Sequence, residues 1–206
     1  MQLSHLFVFA LPFLASASLD EQSVLSSPPN MQSQKSGSDE DYTPMIRPQP
    51  TLADLLTIEP SASIYYSYAR ETELSLDFDT GDQYLTLLVP TNRAVMALAR
   101  KPHQGPPSTV PIIELSEQQF DEQSKRNVYR WVSAHIIPSR ISLSSVPVTY
   151  DTLLEGKSVT FIPTSKTGQG SPNWSRVTLE DGSKIISVKQ AMNGVLYLID
   201  GTVDPY

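Results

Sequence analysis

Apolar positions fall into two regimes along this chain. Up to about Pro138 they recur at helical spacing; beyond it they alternate or run on as strands. Leu52, Leu55 and Leu56 share one helical face, and Thr51 with Asp54 three residues later forms a capping-box pattern. Pro60 breaks that helix, and a second follows with Ile64, Tyr65 and Tyr68 as its apolar stripe. "TELSLDFDTGDQYLTLLVP" predicts strand, turn and strand, with the turn at Asp79–Asp82. At Thr86–Leu98, "TLLVPTNRAVMAL", a strand passes directly into a helix. Pro90 lacks the donor that would extend the strand, Thr91 or Asn92 can cap the helix, and Val95, Leu98 and Ala99 turn inward. "KPHQGPPSTVP" is a proline-glycine loop in which nothing is expected to orient His103. The strongest helical pattern is "SEQQFDEQSKRNVYRWVSAHII". Ser116 and Gln119 form its capping box, and Val128, Trp131, Val132 and His135 fall at i, i+3, i+4 and i+7.

The remainder is β-rich: "ISLSSVPVTYDTLL", "KSVTFIPTS", "SRVTLEDGSKIISVKQAM" and "GVLYLIDGTVDP". Turn signals stand at Glu155-Gly156, Asp181-Gly182 and Asn193-Gly194. Helices first and strands afterwards argue for an α+β fold and against a βαβ nucleotide-binding sheet.

The N-terminus has a different character. In "MQLSHLFVFALPFLASAS" an apolar run from Leu6 to Leu14 precedes Ala15-Ser16-Ala17, the pattern of a signal peptide over residues 1–17 cleaved after Ala17. The run is too short to cross a bilayer, and no later segment is a transmembrane candidate. Residues 18–50 are dense in Ser, Pro and Gln, carry Asp39-Glu40-Asp41 and show no period, as expected of a disordered leader. The 39% hydrophobic content fits a chain of 206 residues that is part leader and part domain. A formal net charge of −7 argues against a nucleic-acid partner, which needs a basic face. The absence of cysteine excludes disulfides, thiolate metal sites and a cysteine nucleophile.

Candidate chemistry fails test by test. Gly156-Lys157-Ser158 resembles the end of a phosphate loop, but Asp151 stands where its first glycine belongs. "DFDTGD" at Asp77–Asp82 has its glycine one place early for a calcium loop, and Leu88 occupies the place of the final acid. His135 lies on an apolar helical stripe, the usual place of a core histidine, and no serine elbow or zinc-ligand spacing accompanies it. Enzyme activity and cofactors are therefore not expected. "NWS" at Asn173–Ser175 is an acceptor for N-linked glycan.

Three blocks in order carry a resemblance: "TLLVPTNRAVMAL", "VYRWVSAHIIPSRI" and "NGVLYLIDGTVDP". With them, residues 51–205 resemble a single fasciclin domain, most like small fungal members. The resemblance implies a β-wedge or sandwich with helices packed at one end and side. It also implies a non-enzymatic adhesion module of the matrix or cell wall, in the vacuole lumen or outside the cell. The alternative is a lumenal, vacuolar lipid- or glycan-binding protein using exposed apolar strands or the loop around Trp174, and an exposed Trp174 or Tyr197 beside a cavity would mark it. The family often has Tyr-His in the central block where this chain has Ala134-His135, and histidine where Tyr197 stands. No Arg-Gly-Asp occurs, so receptor contact of the animal type does not carry over. The expected protein or glycan contact is the central block: His135, Ile136, Ile137, Pro138 and Arg140.

Overall fold

The computed structural model describes residues 49–107, 116–164 and 172–206. The expected signal peptide, with its expected cleavage after Ala17, lies outside the described residues, as does the expected leader except for Gln49 and Pro50.

Four α-helices and seven strands build the described part. Helix α1 (Leu52–Thr57) opens on the expected capping box: Asp54 N–H donates to Thr51 Oγ1 (3.2 Å), and Thr51 N–H donates to Asp54 Oδ2 (2.9 Å). A 3₁₀ turn at Pro60–Ala62 leads into α2 (Ser63–Arg70), which buries Tyr65 and Ala69 and half-buries Ile64 and Tyr68. The expected strand at "ELSLDF" is instead a 3₁₀ helix, Glu73–Phe78. Leu74 and Phe78 are buried while Leu76 is 69% exposed. A strand would place all three on one face, so alternation does not account for the exposure of Leu76, whereas a 3₁₀ helix spreads the three around its axis.

Strand β1 (Leu85–Pro90) passes to α3 (Asn92–Ala97) through Thr91, whose Oγ1 accepts the Ala94 N–H (3.2 Å). The cap is thus Thr91. Asn92 instead fastens α3 to the start of α2: its Oδ1 accepts the Ile64 N–H (2.9 Å), and its Nδ2 donates to Pro60 O (2.9 Å). Val95 is buried as expected, but α3 ends at Ala97, so Ala99 is carried out to the surface. Helix α4 (Glu117–Ala134) starts on the Ser116/Gln119 box. It is followed by β2 (Ile136–Ile137), β3 (Val148–Asp151), β4 (Ser158–Pro163), β5 (Val177–Leu179), β6 (Ile185–Ala191) and β7 (Gly194–Ile199).

Two sheets result. One has the order β2-β1-β7-β6, with β1 parallel to β7 and the other pairs antiparallel; the second is antiparallel β3-β4-β5. Alternation along the central strands divides the core. Leu85, Leu87 and Val89 of β1, with Leu196 and Leu198 of β7, pack among residues of α1, α2 and α4. Leu88, Val195, Tyr197 and Ile199 pack with Phe161, Val159 and Leu179 of the small sheet. The larger sheet is covered on both faces, which is why β1 and β7 read as unbroken apolar runs rather than alternating ones.

One buried side chain joins the ends of this arrangement. Asn193 Oδ1 accepts the Leu52 N–H (2.9 Å), and its Nδ2 donates to Phe78 O and Thr80 O (both 2.8 Å). Gly194 beside it must lack a side chain, because a Cβ there would sit 2.2 Å from Leu85 O.

Candidate functional site

The central block begins where α4 stops. His135 caps the helix, and its ring is fully buried between Tyr65 (ring centroids 5.7 Å apart) and Trp131 (4.6 Å). Nδ1 lies 2.7 Å from Trp131 O, and Nε2 lies 3.0 Å from the Val203 backbone nitrogen. A carbonyl can only accept and an amide N–H can only donate. The ring is therefore the neutral tautomer, with its proton on Nδ1 donated to Trp131 O and its Nε2 lone pair accepting from Val203. Burial holds its pKa down, from 6.5 to about 4, against the smaller opposing effects of the Trp131 carbonyl and Asp181. Both nitrogens already have partners in the protein, so the ring has neither proton nor lone pair to offer a substrate. Its work is to tie the segment after β7 to the end of α4.

Ile136 and Ile137 form β2, paired with Leu87 and Thr86 of β1, and are 0% and 1% exposed. This corrects the expected contact surface: His135, Ile136 and Ile137 are interior residues and cannot touch a partner. Pro138 is half-buried and Arg140 exposed. The turn between them is held to β1 by Thr86 Oγ1, which donates to Ser139 O (2.7 Å). The Arg140 guanidinium lies 4.1 Å above the centre of the Tyr84 ring. Among the described residues no hydrogen bond or ion pair engages its donors. Below this pair Tyr197 is 8% exposed, with its hydroxyl pKa raised by burial and by nearby Tyr84 and Tyr150. A cation seated over an aromatic ring, with no partner for its donors among the described residues, can receive a carboxylate or sugar hydroxyls.

Residues 60–205 match the model of the Fasciclin domain. The chain belongs to that family. Its relatives include a FAS1 domain-containing protein of Aspergillus fumigatus, 30% identical over 95 residues, 44% of this chain and 41% of the relative. Another, from Eremothecium gossypii, is 26% identical over 173 residues, 75% of this chain and 64% of the relative. The chain thus spans less than two thirds of the length of either curated relative. The fold is similar to the solved FAS1 domain pair of the insect cell adhesion molecule Fasciclin I, with TM-score 0.50 and 13% identity over 75% of this chain and 51% of that one. The family is associated with adhesion.

Within this fasciclin domain the other candidates resolve individually. His103 is oriented after all: Tyr68 Oη lies 3.0 Å from its Nδ1, and Asn127 Nδ2 donates to its carbonyl (3.1 Å). The carbonyls of Asp77, Phe78 and Thr80 turn toward Asn193, so the "DFDTGD" segment does not present them to a cation. Among the described residues, no three acids and histidines gather as a metal site would require. Also among them, no helix is long and apolar enough to cross a membrane. Trp174 is half-buried against the second core cluster rather than standing out as a stacking platform. Asn173 is exposed in a 3₁₀ helix, Asn173–Arg176, with Arg176 donating to its side-chain oxygen. Sequence reading missed Tyr84, whose only signal was an aromatic just before a buried strand. It also missed Asn193, which looked like half of an Asn-Gly turn.

Proposed function

We propose that this fasciclin-domain protein travels the secretory route, with its signal cleaved after Ala17, and serves as a non-enzymatic contact module of the cell wall or matrix. The contact is the Pro138–Arg140 turn together with Tyr84, and the partner is an acidic or hydroxyl-rich group on a protein or glycan. One observation carries this reading: Arg140 is surface-exposed on a clamped turn, its guanidinium carbon 4.1 Å from the centre of the Tyr84 ring, with its donors unengaged among the described residues. Preorganisation of this kind lowers the ordering cost of binding. The burial of His135 with both nitrogens engaged supports the non-enzymatic part. Exposure of Asn173 supports glycan attachment there.

The test is retention of the purified chain on isolated cell-wall polysaccharide and wall protein fractions, compared with Arg140→Ala and Tyr84→Ala. Retention lost in both variants, with unfolding midpoints unchanged, is the expected result. Equal retention of all three proteins, or retention of none, sinks the assignment. In a secreting host, a mass decrease on Asn173→Gln and an N-terminus at Ser18 before any later trimming test the modification and the cleavage.

A further inference from the structure

An apolar cleft of about 370 Å³ opens between two segments that leave the helices and strands of the core. One wall is Leu98–Pro106, after α3; the other is Thr202–Tyr206, after β7; buried Trp131 contributes to the lining between them.

Each wall is anchored from behind. Arg100 Nε donates to Gly105 O (2.8 Å), and Lys101 Nζ donates to Met96 O (2.8 Å) and Leu98 O (3.1 Å), satisfying carbonyls at the end of α3. Gly105, at φ 60°, sits so close to α4 that a Cβ would lie 2.5 Å from Asn127 Nδ2. Opposite, His135 Nε2 accepts the Val203 N–H (3.0 Å), and Arg130 donates to Pro205 O (3.1 Å). Asn127 serves both walls, donating to His103 O (3.1 Å) and accepting from Tyr206 Oη (3.4 Å). Both walls are tied by hydrogen bonds to α4 and its C-terminal cap, so the concavity is preformed.

Charge is unevenly placed around the rim. Arg100 and Lys101 stand on one wall, and among the described residues neither is ion-paired. Lys101 Nζ is directed at the carbonyls at the end of α3. Arg100, whose Nε and Nη2 donate to Gly105 O and Gln104 O, keeps Nη1 without a hydrogen-bond partner among the described residues. Across the cleft, Asp204 is exposed and accepts the Tyr206 N–H (3.1 Å). An apolar trough with a cationic edge suits a molecule with an apolar body and one anionic end. We propose that this cleft binds an amphiphilic carboxylate, its aliphatic chain lying against Trp131, Pro102 and Val203 and its carboxylate at Arg100.

Dodecanoate, titrated below its micelle concentration into the whole chain by calorimetry, is the probe. Saturable one-to-one binding is expected, at least tenfold weaker for dodecanol and at least tenfold weaker for Ala99→Trp, which fills the cleft from an exposed position. Absence of saturable binding, equal binding of dodecanol, or undiminished binding by Ala99→Trp overturns the assignment. A second readout does not depend on that variant's folding. In Trp174→Phe, Trp131 is the sole tryptophan, and 12-bromododecanoate must quench its fluorescence; undisturbed emission at saturation overturns the site.

Discussion

Acidifying the solvent from pH 7 to pH 5 should remove about 2 kcal/mol of stability through His135 alone. In the fold, a proton added to this ring would place a charge at a fully buried position between Tyr65 and Trp131. It would also abolish the acceptor of the Val203 N–H. The folded pKa is accordingly about 4 against 6.5 for an unperturbed ring. Between those values the unfolded chain binds a proton that the folded chain refuses, so unfolding free energy falls as pH falls, by up to ~1.4 kcal/mol per pH unit. The full displacement amounts to about 3 kcal/mol at pH 4, of which about 2 has gone by pH 5. Glu59 does not confuse this window. Its carboxyl is held below the ordinary value first by the hydrogen bond from Lys189 and then by Ser61, so its contribution is lost only as pH falls below 4.5. Urea unfolding followed by tryptophan fluorescence at several pH values, on the parent and His135→Gln, reads the effect. The variant should be less stable at pH 7 and should lose the parent's slope between pH 7 and pH 5. A parent whose stability is flat over that interval, or a slope that survives in His135→Gln, would refute the reasoning.

Three further substitutions probe the core by the same urea measurement. The buried Tyr65 hydroxyl has no hydrogen-bond partner among the described residues, so Tyr65→Phe should raise stability by about 1 kcal/mol; a loss would mean that the hydroxyl is satisfied. Asn193→Ala strands the Leu52 N–H and the carbonyls of Phe78 and Thr80, at a cost of about 3 kcal/mol, and a cost below ~1 kcal/mol contradicts that role. Gly194→Ala should cost roughly 3 kcal/mol or more, because its Cβ meets the Leu85 carbonyl where β1 joins β7; near-neutral behaviour would mean the strands can part freely.

What the sequence disclosed and what it concealed follow the range of the interactions. Capping at Thr51 and Ser116 was legible because donor and acceptor lie three residues apart, and so was the inward stripe of α4. Glu73–Phe78 misled because three apolar residues at alternate positions look like a strand; the exposed Leu76 shows that the period was accidental. Ala99 failed for a related reason: the pattern outran the helix, which ends at Ala97. The parallel pairing of β1 with β7 joins Leu85 to Gly194 across most of the domain, and no local pattern encodes it. The expectation that His135, Ile136 and Ile137 are open to a partner failed by the same limit. Periodicity marked His135 as inward, but only the register of β2 on β1 shows that Ile136 and Ile137 are interior while Arg140 emerges over Tyr84. Asn127 and Asn193 were invisible because an asparagine's value here lies in which distant backbones it joins.

The protonation of His135 can be observed directly in the folded protein. Long-range ¹H–¹⁵N spectra of the histidine rings should show a neutral imidazole protonated at Nδ1, its shifts essentially constant from pH 7 to pH 5. A proton on Nε2, or a titration midpoint near 6.5, would place that ring in contact with solvent and contradict its role as the pin between α4 and the chain that follows β7.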